Sequence, residues 1–274
     1  MANSLNGYLS RYLLGLGGAL VLSAVSIGAH AGISGSKHDL TPTGTATNRI
    51  SAVGGTSAQP EICIFCHTPH ASNTNVAAPL WNKSVTSGFT SYSVTNSSTM
   101  DGTVVNGGVS LACLSCHDGS QAMDTLINAP GSGGLSAGAR AYNGVDYTWN
   151  SNGNGLMAAG IANLGLDLTN DHPIQIPYCG GGMTVAAGST NITACNDADF
   201  KSPVTNAANN IVYFDGNANS KRDKADIQLY GRSGVFYVEC GSCHDPHSAG
   251  GTAPPTFLRI SNAGSAVCLT CHNK

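Results

Sequence analysis

The stretch Cys240-Gly241-Ser242-Cys243-His244-Asp245-Pro246-His247 decides the fold of this chain, because it places two thiols and two imidazoles within one short segment. Residues 63–70, CIFCHTPH, repeat the pattern. Two shorter copies, CLSCH at residues 113–117 and CLTCH at residues 268–272, bring the number of CxxCH motifs to four. Two thiols and an imidazole at this spacing are what covalent attachment of haem c requires.

In haem c the thiols add across the vinyl groups as thioethers, and the adjacent histidine becomes the proximal ligand of the iron. Structural zinc or a disulfide hairpin is the alternative reading of one CxxCH. Here eight of the ten cysteines fall in the motif, each pair followed by histidine, which favours four haems. The predicted attachment residues are Cys63, Cys66, Cys113, Cys116, Cys240, Cys243, Cys268 and Cys271, and the predicted proximal ligands are His67, His117, His244 and His272.

Four other histidines follow the first thirty residues, as many as the four haems need for a second axial ligand. These predicted distal ligands are His38, His70, His172 and His247. Ordinary surface histidines are one alternative. Methionine ligation is another, which would raise the reduction potential; the available methionines are Met100, Met123, Met157 and Met183.

His70 and His247 each lie three residues after a proximal histidine. On a helical turn such side chains are neighbours, with Cβ atoms about 5–6 Å apart, so they cannot easily bind opposite faces of one porphyrin. Each is therefore expected to bind a different haem from the one attached just before it. The simplest pairing is His70 with the haem of Cys113/Cys116, His247 with that of Cys268/Cys271, His38 with that of Cys63/Cys66, and His172 with that of Cys240/Cys243.

The motifs form an internal duplication, since each half contains a spare histidine, then CxxCHxPH, then CxxCH. This order predicts a first dihaem half at residues 32–118 and a second at 240–274. Residues 119–239 form a Gly/Asn-rich insertion that contains His172. Together residues 32–274 are expected to make one continuous haem-cored domain.

The N-terminus has the pattern of a secretory signal peptide, residues 1–31. Arg11 is its only charge, an apolar run covers about residues 12–27, and Ala29-His30-Ala31 is a cleavage site of the A-x-A type. A retained membrane anchor is the alternative, although the run is short for a bilayer span of about 20 residues. The expected product starts at Gly32, has no membrane span, and is extracellular, at the cell surface, or alternatively periplasmic.

Composition predicts an unusual core. Only 10% of residues are charged and 6% are aromatic, while 35 are glycine, so few large side chains offset the entropy of ordering the backbone. We expect a mostly irregular fold with short helices at the haem motifs and a few short strands, wrapped around a chain of four stacked haems. Strand patterns occur at residues 211–214, 227–230 and 235–238. The acidic product argues against nucleic-acid binding.

Two further patterns lie in the insertion. Cys179 and Cys195 lie outside the motifs and are predicted to form a disulfide, which would contribute about 3 kcal/mol; two free thiols are the alternative. Oxygen-bearing side chains also recur with calcium-loop spacing, although Ser220 occupies the position where glycine is wanted. A solvated turn is the favoured interpretation of this segment, and a calcium site is the alternative, with candidate ligands Asp215, Asn217, Asn219, Asp223 and Asp226.

Several stretches together resemble the doubled-CxxCH multihaem cytochromes: Lys37-His38-Asp39-Leu40, CIFCHTPH, Ala78-Pro79-Leu80-Trp81-Asn82, CLSCHDG, residues 168–173 and the C-terminal FLRISNAGSAVCLTCHNK. Within them the chain is most similar to the tetrahaem extracellular cytochromes that polymerise into conductive filaments, the OmcE-like nanowire proteins. The resemblance implies stacked haems, self-assembly and long-range electron transport to other cytochromes or metal oxides. It also makes His38, on its Gly/Ser/Thr-rich arm, a candidate ligand to a neighbouring subunit's haem.

Electron transfer is therefore the predicted function, in a filament or as a monomeric periplasmic shuttle, with no enzymatic activity. A multihaem reductase is the rival. Catalysis at a haem needs an open coordination site, and four spare histidines for four haems argue against one. A structural surface protein with incidental haem is the third possibility.

Overall fold

Most of the described chain is irregular, as the composition predicts. The computed structural model describes residues 32–52, 62–83, 100–128, 141–142, 145–149, 154–185, 192–206, 211–248 and 257–273. Residues Gly32–Lys274 form one compact unit. The predicted signal peptide lies outside the described residues. Within the described part, no helix is both long and apolar enough to cross a membrane.

Helices are short and coincide with three of the four haem motifs. They are α1 (Ser110–His117), α2 (Tyr178–Gly181), α3 (Cys240–Cys243) and α4 (Ala266–Cys271), and a 3₁₀ turn at Ala263–Ser265 precedes α4. The first motif forms turns instead of an α-helix. In α2 the backbone is irregular, because Cys179 and Gly180 have φ values of 73° and 65°.

The strands form three antiparallel sheets. They are β1 (Ile50–Ala52), β2 (Ala141–Tyr142), β3 (Val145–Trp149), β4 (Ile176–Pro177), β5 (Met183–Val185), β6 (Ile192–Cys195), β7 (Val204–Asn206), β8 (Ile211–Phe214), β9 (Ile227–Arg232) and β10 (Val235–Val238). The sheet orders are β1-β3-β2, β5-β6 and β4-β10-β9-β8-β7. Three of these strands begin where the sequence places them.

The five-stranded sheet positions the third motif. Strand β10, which lies between β4 and β9, is followed by Glu239 and then by α3, so the end of this inner strand leads directly into Cys240. The Gln175 N–H donates to the Val238 carbonyl at 2.7 Å, and the Val105 N–H donates to the Gln175 carbonyl at 2.8 Å. The segment after His172 is thereby held beside the third motif.

Apolar clusters flank the motifs. The first cluster packs against Cys66 and consists of Val76, Trp81, Leu111, Ala112, Leu114 and Leu168. The second packs against Cys66 and Cys116 and consists of Ile50, Phe65, Met123 and Trp149. The third, on the five-stranded sheet, packs against Cys243 and Cys271. Met123 is 2% exposed and belongs to the second cluster, so its side chain fills space in this core.

The duplication extends beyond the motifs into the backbone. In the first half Thr68 N–H donates to the Leu80 carbonyl at 2.9 Å, and in the second Asp245 N–H donates to the Phe257 carbonyl at 2.8 Å. Isolated β-bridges join His67 to Trp81 and His244 to Leu258 in the same way. Leu80 and Phe257 even share a left-handed backbone, with φ values of 54° and 55°, which is uncommon for such residues. The two halves therefore contain one structural unit twice.

Candidate haem sites

Each motif presents its thiols and imidazole from one tight turn. The histidine N–H donates to the carbonyl of the first cysteine at 2.8 Å in the first motif, 3.0 Å in the third and 2.9 Å in the fourth. None of the eight motif cysteines takes part in a disulfide. This donor set, two thiols and one imidazole per turn, fits a haem attached by two thioethers and bound by one axial histidine.

Backbone carbonyls orient the imidazoles. The Nδ1 atoms of the two proximal histidines in the first half lie 2.8 Å (His67) and 2.7 Å (His117) from the carbonyls of Pro79 and Ala162. A hydrogen bond at Nδ1 fixes the ring orientation and leaves Nε2 for a metal. Both rings are thus arranged as axial ligands.

Two of the predicted distal histidines lie next to predicted proximal histidines. His38 lies beside His117, with ring centroids 6.1 Å apart and ring planes at 84°. His247 lies beside His67, with centroids 5.9 Å apart and planes at 14°. These pairs differ from the pairing expected from sequence order, which placed His38 with His67 and His247 with His272. The difference arises from packing between the two halves.

His38 is held by the second half. Its ring stacks on Phe257 at 4.2 Å, and its Nδ1 lies 3.2 Å from the Pro246 carbonyl. The Gly32 N–H donates to the His247 carbonyl at 2.8 Å, which fixes the start of the same arm. Burial, helped by the neighbouring His117, lowers the pKa of His38 to about 4. The imidazole is therefore neutral at physiological pH, the form that binds metals.

Thiols of consecutive motifs lie close together. Burial raises the pKa of Cys66 to about 12, and Cys116 of the second motif adds to this effect. A hydrogen bond between the thiols of Cys113 and Cys240 raises the pKa of Cys113 and lowers that of Cys240. Burial also raises the pKa of Cys271 to about 12, with a contribution from Cys243. In each pair of consecutive motifs, a thiol of one motif thus influences the pKa of a thiol in the other.

A buried polar junction joins the second and third motifs. The Ser110 hydroxyl donates to Glu239, whose other oxygen lies 3.3 Å from the Arg232 guanidinium. The Cys240 N–H donates to the Ser110 hydroxyl at 2.9 Å. Burial raises the pKa of Glu239, while Ser110 and Arg232 oppose that shift. Sequence reasoning missed this pair, because no local pattern connects residues so far apart.

The remaining predicted ligands have different surroundings. His70, His172 and His244 are exposed. His172 directs its Nδ1 to the Pro173 carbonyl at 2.9 Å. His272 lies against Phe200, with ring centroids 4.6 Å apart.

The structure does not support the alternative of a calcium site at residues 215–226. Backbone N–H groups within the loop donate to its carboxylates: Ser220 donates to Asp215 at 2.7 Å, and Asp223 donates to Asp226 at 2.6 Å. Side-chain amides of Asn217 and Asn219 also point their donors at Asp223. Among the residues that the structure describes, no group of three or more His, Cys, Asp or Glu is arranged to hold a metal ion. The segment is a turn whose carboxylates accept hydrogen bonds from N–H groups of the same segment.

Cys179 and Cys195 form a disulfide, with Cα atoms 5.2 Å apart. The bond joins α2 to β6. Cys179 is completely buried in the cluster that supports the fourth motif.

Comparison with known proteins gives one family match. A family model described as "Doubled CXXCH motif" matches residues 235–274, the segment that contains the third and fourth motifs. No curated protein matches the chain. The match supports a place among the multihaem c-type cytochromes, with covalently bound haem c and a role in electron transfer.

Proposed function

We propose that this protein is a tetrahaem cytochrome that passes electrons between closely spaced haems and assembles into an extracellular filament. It acts as a conduit and not as an enzyme. The four CxxCH motifs supply the haem sites, and the buried contact between the second and third motifs supports a continuous path through them.

The hydrogen bond of 2.9 Å from the Cys240 N–H to the Ser110 hydroxyl is the observation that carries the conduit. Ser110 begins the helix of the second motif and Cys240 begins that of the third, so motifs of different halves lie side by side. Each of these motifs would attach its own haem, and the contact between them supports a short distance between the second and third haems. In such a path the protein sets the spacing and the axial ligands, and the haems carry the electrons.

Assembly into a filament is supported by a difference between the two halves. Phe257 is 9% exposed and is stacked on His38, whereas Leu80, at the equivalent position of the first half, is 51% exposed. The second half is therefore covered by an arm of its own chain, and the same surface on the first half is open. His172 precedes the second half as His38 precedes the first. In a filament, the arm of a second copy that contains His172 would therefore cover the surface around Leu80.

Leu80→Glu tests this arrangement. We expect the variant to retain four haems, measured by intact mass and by the pyridine haemochromogen spectrum, and to lose filaments in negative-stain microscopy of the extracellular fraction. Val204→Glu is the matched control, because Val204 is 46% exposed and lies on β7, the outer strand of the five-stranded sheet opposite β4. Filaments that persist in Leu80→Glu would contradict the proposed contact. Globular particles alone from the unmodified protein would instead favour a monomeric shuttle.

The rival enzymatic function has a separate test. A haem that binds a substrate has an open or water-filled site and is high-spin when oxidised. We expect the ferric protein, in its assembled form, to show only low-spin signals by electron paramagnetic resonance. A substantial high-spin population in intact filaments would favour a reductase.

A further inference from the structure

We propose that the axial ligands of the first two haems are exchanged across the molecule. His247 of the second half is the distal ligand of the haem on Cys63 and Cys66, and His38 is the distal ligand of the haem on Cys113 and Cys116. This inference rests on the proposed binding of haem c. It replaces the sequence-order pairing of these two histidines.

The first line of evidence for this pairing is the distance between the imidazole rings. A metal–imidazole bond is about 2 Å long, and a ring centroid lies about 1 Å beyond its nitrogen, so two imidazoles on opposite faces of one iron have centroids about 6 Å apart. The observed separations are 6.1 Å for His38 and His117 and 5.9 Å for His67 and His247. Both pairs thus have the spacing of bis-histidine ligation.

The second line of evidence is the orientation of the imidazole rings. Each of the four imidazoles has an oxygen acceptor near Nδ1: backbone carbonyls for His38, His67 and His117, and the Asp245 carboxylate at 3.5 Å for His247. This arrangement leaves Nε2 for the iron in every case. Four rings with this orientation, in two pairs at ligation distance, form two axial sets.

The third step is that the two distal ligands position one another. The His38 ring is held by the Pro246 carbonyl, and the His247 carbonyl accepts the Gly32 N–H at 2.8 Å. The N-terminal arm and the turn after the third motif thus form one small unit. That unit supplies a ligand to each haem of the first half, so removing either segment affects both haems.

The two sites differ in a measurable way. The imidazole planes are close to perpendicular for His38 and His117 and close to parallel for His67 and His247. Perpendicular axial imidazoles give a ferric low-spin signal with a large maximum g value, whereas parallel ones give a rhombic signal. The second haem is therefore expected to give the large-g signal and the first haem a rhombic one.

His38→Met and His247→Met in the full holoprotein test the exchange. Each is expected to convert one of the four haems to His/Met ligation, with a raised reduction potential. His38→Met should reduce the large-g signal by the contribution of one haem, and His247→Met should keep it and reduce the rhombic signal. The pairing is overturned if His38→Met leaves the large-g signal unchanged.

Removal of single haems identifies the partner of His247. In Cys63→Ala/Cys66→Ala, adding His247→Met should produce no Met-ligated haem; in Cys268→Ala/Cys271→Ala it should still produce one. The reverse result would restore the sequence-order pairing. Should a haem-deleted variant fail to fold, nuclear Overhauser effects in the reduced protein decide between the pairings. Contacts from the His247 ring to the haem of Cys66 support the exchange, and contacts to the haem of Cys271 overturn it.

The two proposals fail in different ways. If the pairing is wrong, the unmodified protein still has four low-spin haems and still transfers electrons. If the proposed function is wrong, mass spectrometry gives fewer than four haems, or the intact filament contains high-spin iron.

Discussion

At the scale of single residues, the site depends on groups that hold imidazoles in place. A distal histidine carries no covalent tether to its haem, so its position depends on the contacts of its ring. His38 has two such contacts, the Pro246 carbonyl and the face of Phe257. Phe257 itself is placed by an uncommon backbone conformation, with a φ of 55°. A residue far from the first half thus helps to set the ligation of a haem attached there.

Phe257→Ala is expected to weaken the binding of His38 to its haem. An aromatic contact contributes about 0.5–1.5 kcal/mol, so the fraction of ligand-free second haem should rise roughly two- to tenfold. Titration with imidazole, followed by the loss of the high-spin ferric signal, measures this fraction. Leu80→Ala is the control at the equivalent position, where the side chain is 51% exposed. An equal effect of both substitutions in monomers would show that Phe257 does not position His38.

At the scale of elements, two short helices that carry haem motifs meet through a buried polar contact. Ser110 begins α1, and Glu239 directly precedes α3. Their side chains are 0% and 1% exposed. Gly108 approaches so closely that a Cβ at that position would overlap the Glu239 carboxylate. The junction therefore fixes the separation of the second and third haems more firmly than loops could.

Ser110→Ala should destabilise the holoprotein by about 1–3 kcal/mol, because Glu239 loses a donor and stays buried. Urea unfolding, followed through the absorbance of the haems, measures this change. Ser120→Ala is the matched control, since Ser120 is exposed and lies beyond the end of the same helix. If the two substitutions cost the same, Ser110 does not stabilise the junction.

The disulfide stabilises the sheet that supports the fourth motif. Cys179→Ala/Cys195→Ala should lower the free energy of unfolding by about 3 kcal/mol, as expected for a closed loop of this length. Thermal unfolding in the absence of reductant measures the loss. Adding a reductant should destabilise the unmodified protein in the same direction and leave the double variant unchanged. A reductant effect on the double variant would point to another cause.

At the scale of the whole molecule, the halves behave as successive members of one repeat. The second half places His247 beside His67 of the first, and it holds the arm that contains His38. If the repeat continues into the next subunit, that subunit's first half gives the equivalent histidine, His70, to the haem of His244. Both residues are exposed in the single chain, as this arrangement requires.

His70→Ala should therefore abolish filaments and leave one haem of each subunit without its distal ligand. The expected readout is one high-spin haem in four by electron paramagnetic resonance. Added imidazole should restore the low-spin state but not the filaments, because it replaces the ligand and not the connection between subunits. Normal filaments from this variant would assign the joining role to another residue.

The sequence by itself determined the chemistry of attachment and much of the local structure. Thioether formation and proximal ligation use residues within five positions, so Cys240, Cys243 and His244 are readable without a fold. Short runs of β-branched and aromatic residues likewise predicted β8 and β10, although β9 runs two residues further than its pattern indicated. At Asp215 the spacing left calcium open as an alternative to a turn, and the structure shows a turn whose carboxylates accept from neighbouring N–H groups.

Only the tertiary structure decided which imidazoles meet. His38 and His247 approach the first half because the N-terminal arm packs on the turn after the third motif, a contact between segments about two hundred residues apart. No periodicity encodes such a contact, since it depends on shape and hydrogen bonding between distant surfaces. The same holds for Ser110 and Glu239. The sequence specifies where haems are attached, and long-range packing specifies how they are ligated and joined.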